Sequence, residues 1–256
     1  MEAVLARIYK ASSSAGRAVP RLVAVSKLQP VSSILAAHAT GHLHFGENYV
    51  QELIEKAPKC PSNIRWHFIG QLQSNKAKSL VAEVPNLWVV ESVDSEKLAV
   101  LLEKAAAAAG RGLAEYGVKV GEGVVGGGSS SDGVEGLPVS AQPLRVLVQV
   151  NTSGEEQKGG VEPGAAAKLV CFIKENCPHL HCAGLMTIGK LGEVASVYFE
   201  RLVSERSAVG VSLGLSSQEV TSMELSMGMS GDFDLAIELG STSVRVGSAI
   251  FGARPH

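Results

Sequence analysis

The chain has 256 residues, of which 45% are hydrophobic and 19% are charged, and its formal net charge is -2 at pH 7. This composition is typical of a globular protein, and the near-neutral charge argues against a surface that binds nucleic acid or anionic membranes. No apolar run approaches the roughly 20 residues that a membrane-spanning helix needs. The four cysteines form no C-x-x-C pair, so we expect a reducing compartment, with the cytoplasm as the default and an organelle left open.

Short apolar segments alternate with helical patterns along the whole chain. Residues 1–16 predict a first helix, because their apolar residues lie close to helical spacing. Strands are predicted at 21–26, 42–46, 65–70, 87–92, 144–151, 180–188, 220–226 and 243–252. Helices are predicted between them at 31–40, 49–57, 75–82, 94–109, 164–176, 193–209 and 232–239. Eight strands alternating with helices in about 250 residues predict one α/β domain over residues 1–256, a closed (β/α)8 (TIM) barrel.

One segment, 117–143, interrupts this alternation. It is rich in Gly and Ser and shows no sustained period, so we expect a flexible, disordered insertion within the barrel. Its "GEGVVG" matches G-x-G-x-x-G, but no helix pattern follows, so we do not interpret it as a dinucleotide-binding loop. The segment "CPHLHC" (177–182) also does not predict a metal site, because four ligands in so short an extended stretch cannot surround one zinc ion.

Lys27 follows the first predicted strand. Val23, Val25 and Lys27 share one strand face by period two, and barrels collect functional residues at the carboxyl ends of their strands. A lysine pointing inward there would need a lowered pKa, a partner or a covalent bond such as a Schiff base. The alternative is a lysine that extends to solvent from the strand end.

The last two strands suggest a phosphate site. Arg245 and Gly247 share a face, and Gly247 and Ser248 lie where backbone N–H groups could approach a phosphate closely. Barrels often bind phosphate with the loops after strands seven and eight, and Ser226 offers a hydroxyl near the end of strand seven. Ser230, in the following loop, is predicted to cap the next helix.

Asn48 follows the second predicted strand, and two interpretations of it remain open. It could reach a ligand above the barrel, or it could cap the helix at 49–57 with Gln51 completing a capping box.

Six motifs together resemble the pyridoxal phosphate homeostasis protein family. They are "LVAVSK", "FGENYVQE", "WHFIGQLQSNK", "VQVNTSGEEQKGGV", "GLMTIG" and "LSMGMSGDFDLAIELGSTSVRVGSAIFG". The resemblance covers nearly the whole chain; it departs from the family at the Gly-rich insertion and weakens between Lys190 and Met223. It implies a fold-type III (β/α)8 barrel similar to the barrel domain of alanine racemase, with pyridoxal 5′-phosphate (PLP) as the cofactor.

The resemblance also assigns site residues. Lys27 matches the lysine that forms the aldimine with PLP, and Arg245 matches the arginine near the pyridine nitrogen. Ser226, Gly247 and Ser248 match the phosphate-binding positions, and Asn48 matches a residue of the cofactor pocket.

Two functions remain open under this resemblance, a PLP carrier and an amino-acid racemase. An arginine at the ring nitrogen weakens the ring as an electron sink. Racemisation also needs a second base, which similar racemases take from a separate β domain that we do not expect here. We therefore expect a monomeric carrier without turnover, which buffers the small-molecule cofactor for vitamin B6 homeostasis, with apo PLP-dependent enzymes as candidate recipients.

Overall fold

The computed structural model describes residues 1–114, 138–189 and 195–252, and within them it confirms the predicted barrel. Eight parallel strands form a closed sheet in which each strand pairs with its neighbour in sequence and the last pairs with the first. Of the predicted insertion, residues 117–137 lie outside the described residues. No helix in the described part of the chain is long and apolar enough to cross a membrane.

The elements have the following bounds. The strands are β1 (Arg21–Val25), β2 (His44–Glu47), β3 (Arg65–Phe68), β4 (Leu87–Val93), β5 (Leu144–Gln149), β6 (Leu180–Met186), β7 (Glu224–Ser226) and β8 (Ser243–Val246). The helices are α1 (Glu2–Ala15), α2 (Val31–His38), α3 (Val50–Lys56), α4 (Ala77–Glu83), α5 (Glu96–Ala108), α6 (Ala166–Asn176), α7 (Ala195–Ser212), α8 (Ser217–Ser222), α9 (Phe233–Glu238) and α10 (Ser248–Phe251). Short 3-10 turns occupy Ala57–Lys59, Ser74–Lys76, Val139–Ala141 and Glu156–Lys158.

The hydrophobic core lies mainly between the strands and the surrounding helices. Outward strand residues such as Phe45, Trp66 and Val146 are buried in one cluster with helix residues such as Leu53 and Leu102. This burial against the helices explains the apolar residues on the outer face of the strands. The barrel interior is different, because many of its side chains are polar and carry the candidate site.

Strand seven is shorter than the sequence predicts, and the reason lies in the residues before it. Residues 217–222 form α8, which the prediction of a strand at 220–226 missed. The helix begins with a capping box in which Ser216 Oγ accepts from the N–H of Glu219 and the Glu219 carboxylate accepts from Ser216. The spacing Ser-x-x-Glu is a helix-start signal that outweighs the β-branched residues Val220 and Thr221.

One other predicted boundary is wrong. The last strand ends at Val246 instead of Gly252, because the chain turns at Gly247 into the short helix α10. In the described part of the predicted insertion, Val139–Ala141 forms a 3-10 turn whose Val139 carbonyl accepts a hydrogen bond from Arg111.

Candidate cofactor-binding site

Lys27 lies at the carboxyl end of the barrel, two residues beyond the last residue of β1. The sequence predicts a strand that runs to Ser26, whereas the structure ends it at Val25 and places Lys27, half-buried, in a tight turn. The pairing of Val25 with Gly46 puts Lys27 level with Asn48, which follows β2. The two residues therefore lie at the same rim of the barrel.

Asn48 does not cap the following helix. The N-cap of α3 is Tyr49, with no side-chain cap bond, and Gln51 bonds to Glu55 instead of completing a capping box. Asn48 Oδ1 is buried and has no hydrogen-bond partner among the described residues. A buried acceptor without a donor is costly, so this atom favours the ligand interpretation of Asn48 over the capping one.

At Gly247 the backbone lies close to the end of β1. A side chain at this position would lie 3.3 Å from the carbonyl oxygen of Val25. The N–H of Gly247 donates to Ser230 Oγ at 3.3 Å, and α10 begins at the next residue, Ser248. The N–H groups of a first helical turn lie outside the internal hydrogen bonds of the helix, so this corner presents donors suited to an anion.

Ser230 belongs to this corner, and the prediction that it caps the next helix is wrong. The N-cap of α9 is Asp232, whose Oδ1 accepts from the N–H of Met229 at 2.6 Å. One feature of the sequence could have indicated that Ser230 lies in this corner: it is in the loop after strand seven, where barrels place phosphate-binding groups.

Ser226 and Arg245 lie deeper in the barrel and contact each other. Ser226 pairs in register with Ser243, four residues before Gly247. The Arg245 guanidinium donates through Nη1 to Ser226 Oγ and through Nη2 to the carbonyl of Thr187, at 2.7 Å in the second case. Ser226 in turn donates to Glu91 Oε2 at 2.6 Å. The structure thus separates Ser226 from the Gly247 corner and groups it with Arg245.

A chain of hydrogen bonds crosses the barrel interior below Arg245. Arg65 lies 3.5 Å from His44 Nε2, His44 Nδ1 lies 2.8 Å from His67 Nε2, and His67 Nδ1 lies 2.7 Å from Glu91 Oε1. Because Arg65 can only donate, one consistent arrangement has both histidines neutral and donating through Nδ1 toward the Glu91 carboxylate. His67 is thus a buried histidine with a hydrogen-bond partner at each ring nitrogen, and it holds the carboxylate of Glu91 in place.

Burial and neighbouring charges set the protonation of this chain. Burial would raise the pKa of Glu91, but the hydrogen bond from His67 and the charge of Arg245 lower it below its usual range. Burial lowers the pKa of His67, and burial with neighbouring cationic groups lowers the pKa of His44 well below its usual value. An ionised Glu91 therefore faces the cationic Arg245, with 3.7 Å between Glu91 Oε2 and Arg245 Nη1.

The sequence did not single out Glu91 as a site residue. Its signal was a carboxylate inside the apolar segment "LWVVES", where a buried charge needs a partner. That partner, Arg245, lies 154 residues away in the chain, so only the closed barrel brings the two side chains together.

The fold and the site define a barrel of the alanine racemase type. Residues 1–255 match the family model described as alanine racemase, N-terminal domain. The pyridoxal phosphate homeostasis protein of Mus musculus is 44% identical over 247 residues, covering 93% of this chain and 78% of the relative. That of Caenorhabditis elegans is 45% identical over 246 residues, with 92% and 86% covered. The chain therefore belongs to the family of pyridoxal phosphate homeostasis proteins.

A solved structure supports the same grouping. PipY of Synechococcus elongatus, solved with PLP bound, is 28% identical to this chain and superposes with a TM-score of 0.69, covering 96% of this chain and all (100%) of PipY.

Proposed function

We propose that this protein binds PLP covalently through Lys27 and carries it for vitamin B6 homeostasis. The observation that carries the proposal is that Lys27, the Gly247 corner and Asn48 all lie at one end of the barrel, where Asn48 Oδ1 is buried with no hydrogen-bond partner among the described residues. The residues fit the cofactor, because PLP combines an aldehyde that reacts with an amine, a phosphate that needs donors and a ring with polar substituents. The names of the relatives and the PLP-bound PipY support this assignment.

At the rim of the barrel, each residue has a distinct proposed role. Lys27 supplies the amine, and the backbone N–H of Ser248 binds the phosphate with the Ser230 hydroxyl. The N–H of Gly247 then donates to the phosphate, which replaces Ser230 Oγ as its acceptor. Asn48 offers its side-chain oxygen to a donor on the cofactor. These groups lie near the carboxyl end of the barrel: the register places Asn48 level with Lys27, and Gly247 level with Val25, two residues before Lys27.

In the barrel interior, we propose that Arg245 faces the pyridine nitrogen. The contacts of Ser226 with Glu91 and Arg245 support a role in holding Arg245 better than the phosphate role that the sequence resemblance implies. Arg245 is charged and has no acceptor atom, so it can only donate a hydrogen bond, and the ionised Glu91 balances its charge inside the barrel.

A carrier is favoured over an enzyme by that same arginine. When bound, PLP supplies an electron sink, and the sink is strongest when its ring nitrogen is protonated. A guanidinium donor at the nitrogen competes with the proton there, so we propose that the protein stores the cofactor and delivers it to apo enzymes without turnover of its own.

The covalent assignment is tested with borohydride. The purified protein loaded with PLP should yield, after reduction and digestion, a pyridoxyl group on the peptide that contains Lys27. Lys27→Ala should lose this product and keep weaker, non-covalent binding, since the phosphate contacts do not involve the lysine. A pyridoxyl group on another lysine, or full covalent loading of Lys27→Ala, would refute the assignment.

The absence of turnover is tested separately by deuterium exchange at the α-carbon of L-alanine in D₂O. Each missing proton-transfer partner typically costs about 10²–10⁴-fold in rate, so we expect exchange to be very slow with the loaded protein. Rapid exchange with loss of optical activity, absent in Lys27→Ala, would favour the racemase.

We also propose a cytoplasmic monomer. The free state of Cys60, Cys171, Cys177 and Cys182 supports a reducing compartment. Sedimentation of the loaded protein would measure its mass in solution, and a dimer would contradict the second half of this proposal.

A further inference from the structure

The turn that carries Lys27 is held on both sides by polar contacts. Before Lys27, Ser26 Oγ donates to Glu47 Oε1 at 2.7 Å, and the Ser26 carbonyl accepts from Lys56 Nζ at 2.8 Å. After Lys27, the N–H of Leu28 donates to Glu52 Oε1 at 2.6 Å. The backbone on each side of Lys27 is therefore tied to β2 and α3.

Lys56 is the centre of these contacts. Its ammonium group donates to the Ser26 carbonyl, to Glu47 Oε1 at 2.8 Å and to Glu52 Oε1 at 2.6 Å. An ammonium group has three N–H donors, so all three are used. Lys56 is only 7% exposed and Glu47 is fully buried, and such an arrangement is expensive to desolvate. Apolar side chains would fill the same space with a smaller desolvation free energy. We therefore infer that these charged groups have a role other than packing.

The contacts hold Leu28 in an unusual backbone conformation. Leu28 has φ of +61°, and among the described non-glycine residues it alone has a positive φ. Bulky L-residues rarely adopt this left-handed region, and such strain persists only where the surroundings over-determine it. The Glu52 carboxylate, bonded to the Leu28 N–H and held by Lys56, is the surrounding group that does so.

We propose that Lys56, Glu47 and Glu52 form a positioning cluster for Lys27, which rests on the proposed PLP binding. Glu47 alternates along the strand with Gly46 and Asn48, so it faces α3 and not the ligand. The cluster acts through the backbone: it holds the Lys27 side chain where Nζ meets the cofactor aldehyde. There the unprotonated amine adds to the carbonyl carbon, a carbon–nitrogen double bond forms, and the carbonyl oxygen leaves as water with both amine protons.

If the cluster positions Lys27, disrupting it should affect covalent binding of PLP more than non-covalent binding. Pyridoxine 5′-phosphate has a hydroxymethyl group in place of the aldehyde, so it can use the phosphate and ring contacts but cannot react with Lys27. A displaced Lys27 should weaken PLP binding and leave pyridoxine 5′-phosphate binding nearly unchanged. Losing one charged hydrogen bond to the turn is expected to reduce covalent loading about tenfold.

The test compares Lys56→Met and Glu52→Ala with the unchanged protein, using Lys59→Met as a control. Lys59 is exposed, three residues from Lys56, and outside the cluster. Dissociation constants for both ligands are measured by fluorescence, and the covalent fraction by mass spectrometry after borohydride reduction. We expect Lys56→Met and Glu52→Ala to lose about tenfold in PLP affinity and covalent fraction, with pyridoxine 5′-phosphate affinity within about twofold of the unchanged protein. Glu52→Gln keeps an oxygen for the Leu28 N–H and should recover most of the loss.

Lys56→Met removes a buried charge and could fail to fold, in which case Glu52→Ala decides, because Glu52 is partly exposed. Equal losses for PLP and pyridoxine 5′-phosphate, or unchanged covalent loading in Glu52→Ala, would overturn the positioning role. Absence of the covalent product in the unchanged protein would instead refute the proposed function, and the inference with it.

Discussion

At the scale of single residues, the buried carboxylate of Glu91 balances the charge of Arg245. Glu91 accepts from His67 and from Ser226, and it is the counter-charge of a buried guanidinium. In Glu91→Gln the amide keeps the shape of the side chain but brings its N–H₂ group toward a neighbour that also donates. Breaking a buried pair from one side typically costs about 3–5 kcal/mol, so we expect a loss of about 3 kcal/mol in the free energy of unfolding.

Ser226→Ala is the matched comparison, because it removes two hydrogen bonds, to Glu91 and from Arg245, and leaves both charges in place. It should cost about 2 kcal/mol, at about 1 kcal/mol per bond, measured like Glu91→Gln by urea unfolding of the cofactor-free protein. If the two variants lose the same stability, the charge of Glu91 is not what holds Arg245.

At the scale of elements, the backbone after β3 approaches the backbone after β2 so closely that only a glycine fits between them. Gly70 follows β3, and a side chain there would lie 2.1 Å from the carbonyl oxygen of Asn48. Since that neighbour is backbone, Gly70→Ala must displace the segment that carries Asn48. We expect a loss of about 1–3 kcal/mol in the free energy of unfolding, together with weaker PLP binding. Gly231→Ala is the control, because its side chain would enter open space.

A loss of stability in Gly70→Ala with unchanged affinity for PLP would mean that Asn48 does not contact the cofactor. Thermal melting and ligand titration of the two glycine variants distinguish these outcomes.

The same scale shows what the sequence could and could not predict. The order and number of strands follow from continuous apolar segments separated by helical patterns, because parallel strands are buried on both faces. The position of Lys27, Asn48 and Gly247 at one rim follows from strand order alone. The contacts of Ser226, Ser230 and Glu91 do not, because they depend on the stagger between strands and on pairings across the barrel, which local periodicity does not encode.

At the scale of the whole molecule, the barrel interior concentrates groups that must stay neutral or paired. On β6, burial and the nearby charge of Arg145 lower the pKa of His181 from 6.5 to about 4. The unfolded chain takes up a proton on this histidine below about pH 6.5, whereas the folded protein does so only near pH 4. The stability that the neutral form contributes is therefore full above pH 6.5 and is lost as the pH falls toward 4.

This linkage predicts the acid sensitivity of the fold. A fall in pKa from 6.5 to about 4 corresponds to about 3 kcal/mol, so His181 should account for a loss of that order in the free energy of unfolding between pH 7 and pH 4. His181→Gln carries no titrating group and should lose less over this range than the unchanged protein does. His38→Gln is the control, because His38 lies on α2 at the surface and bonds to Asn63. Urea unfolding at pH 7, 5.5 and 4 measures the three profiles. If His181→Gln and the unchanged protein lose stability in parallel, the acid sensitivity arises from other groups, of which His44 and His67 at the centre of the barrel are the next to replace.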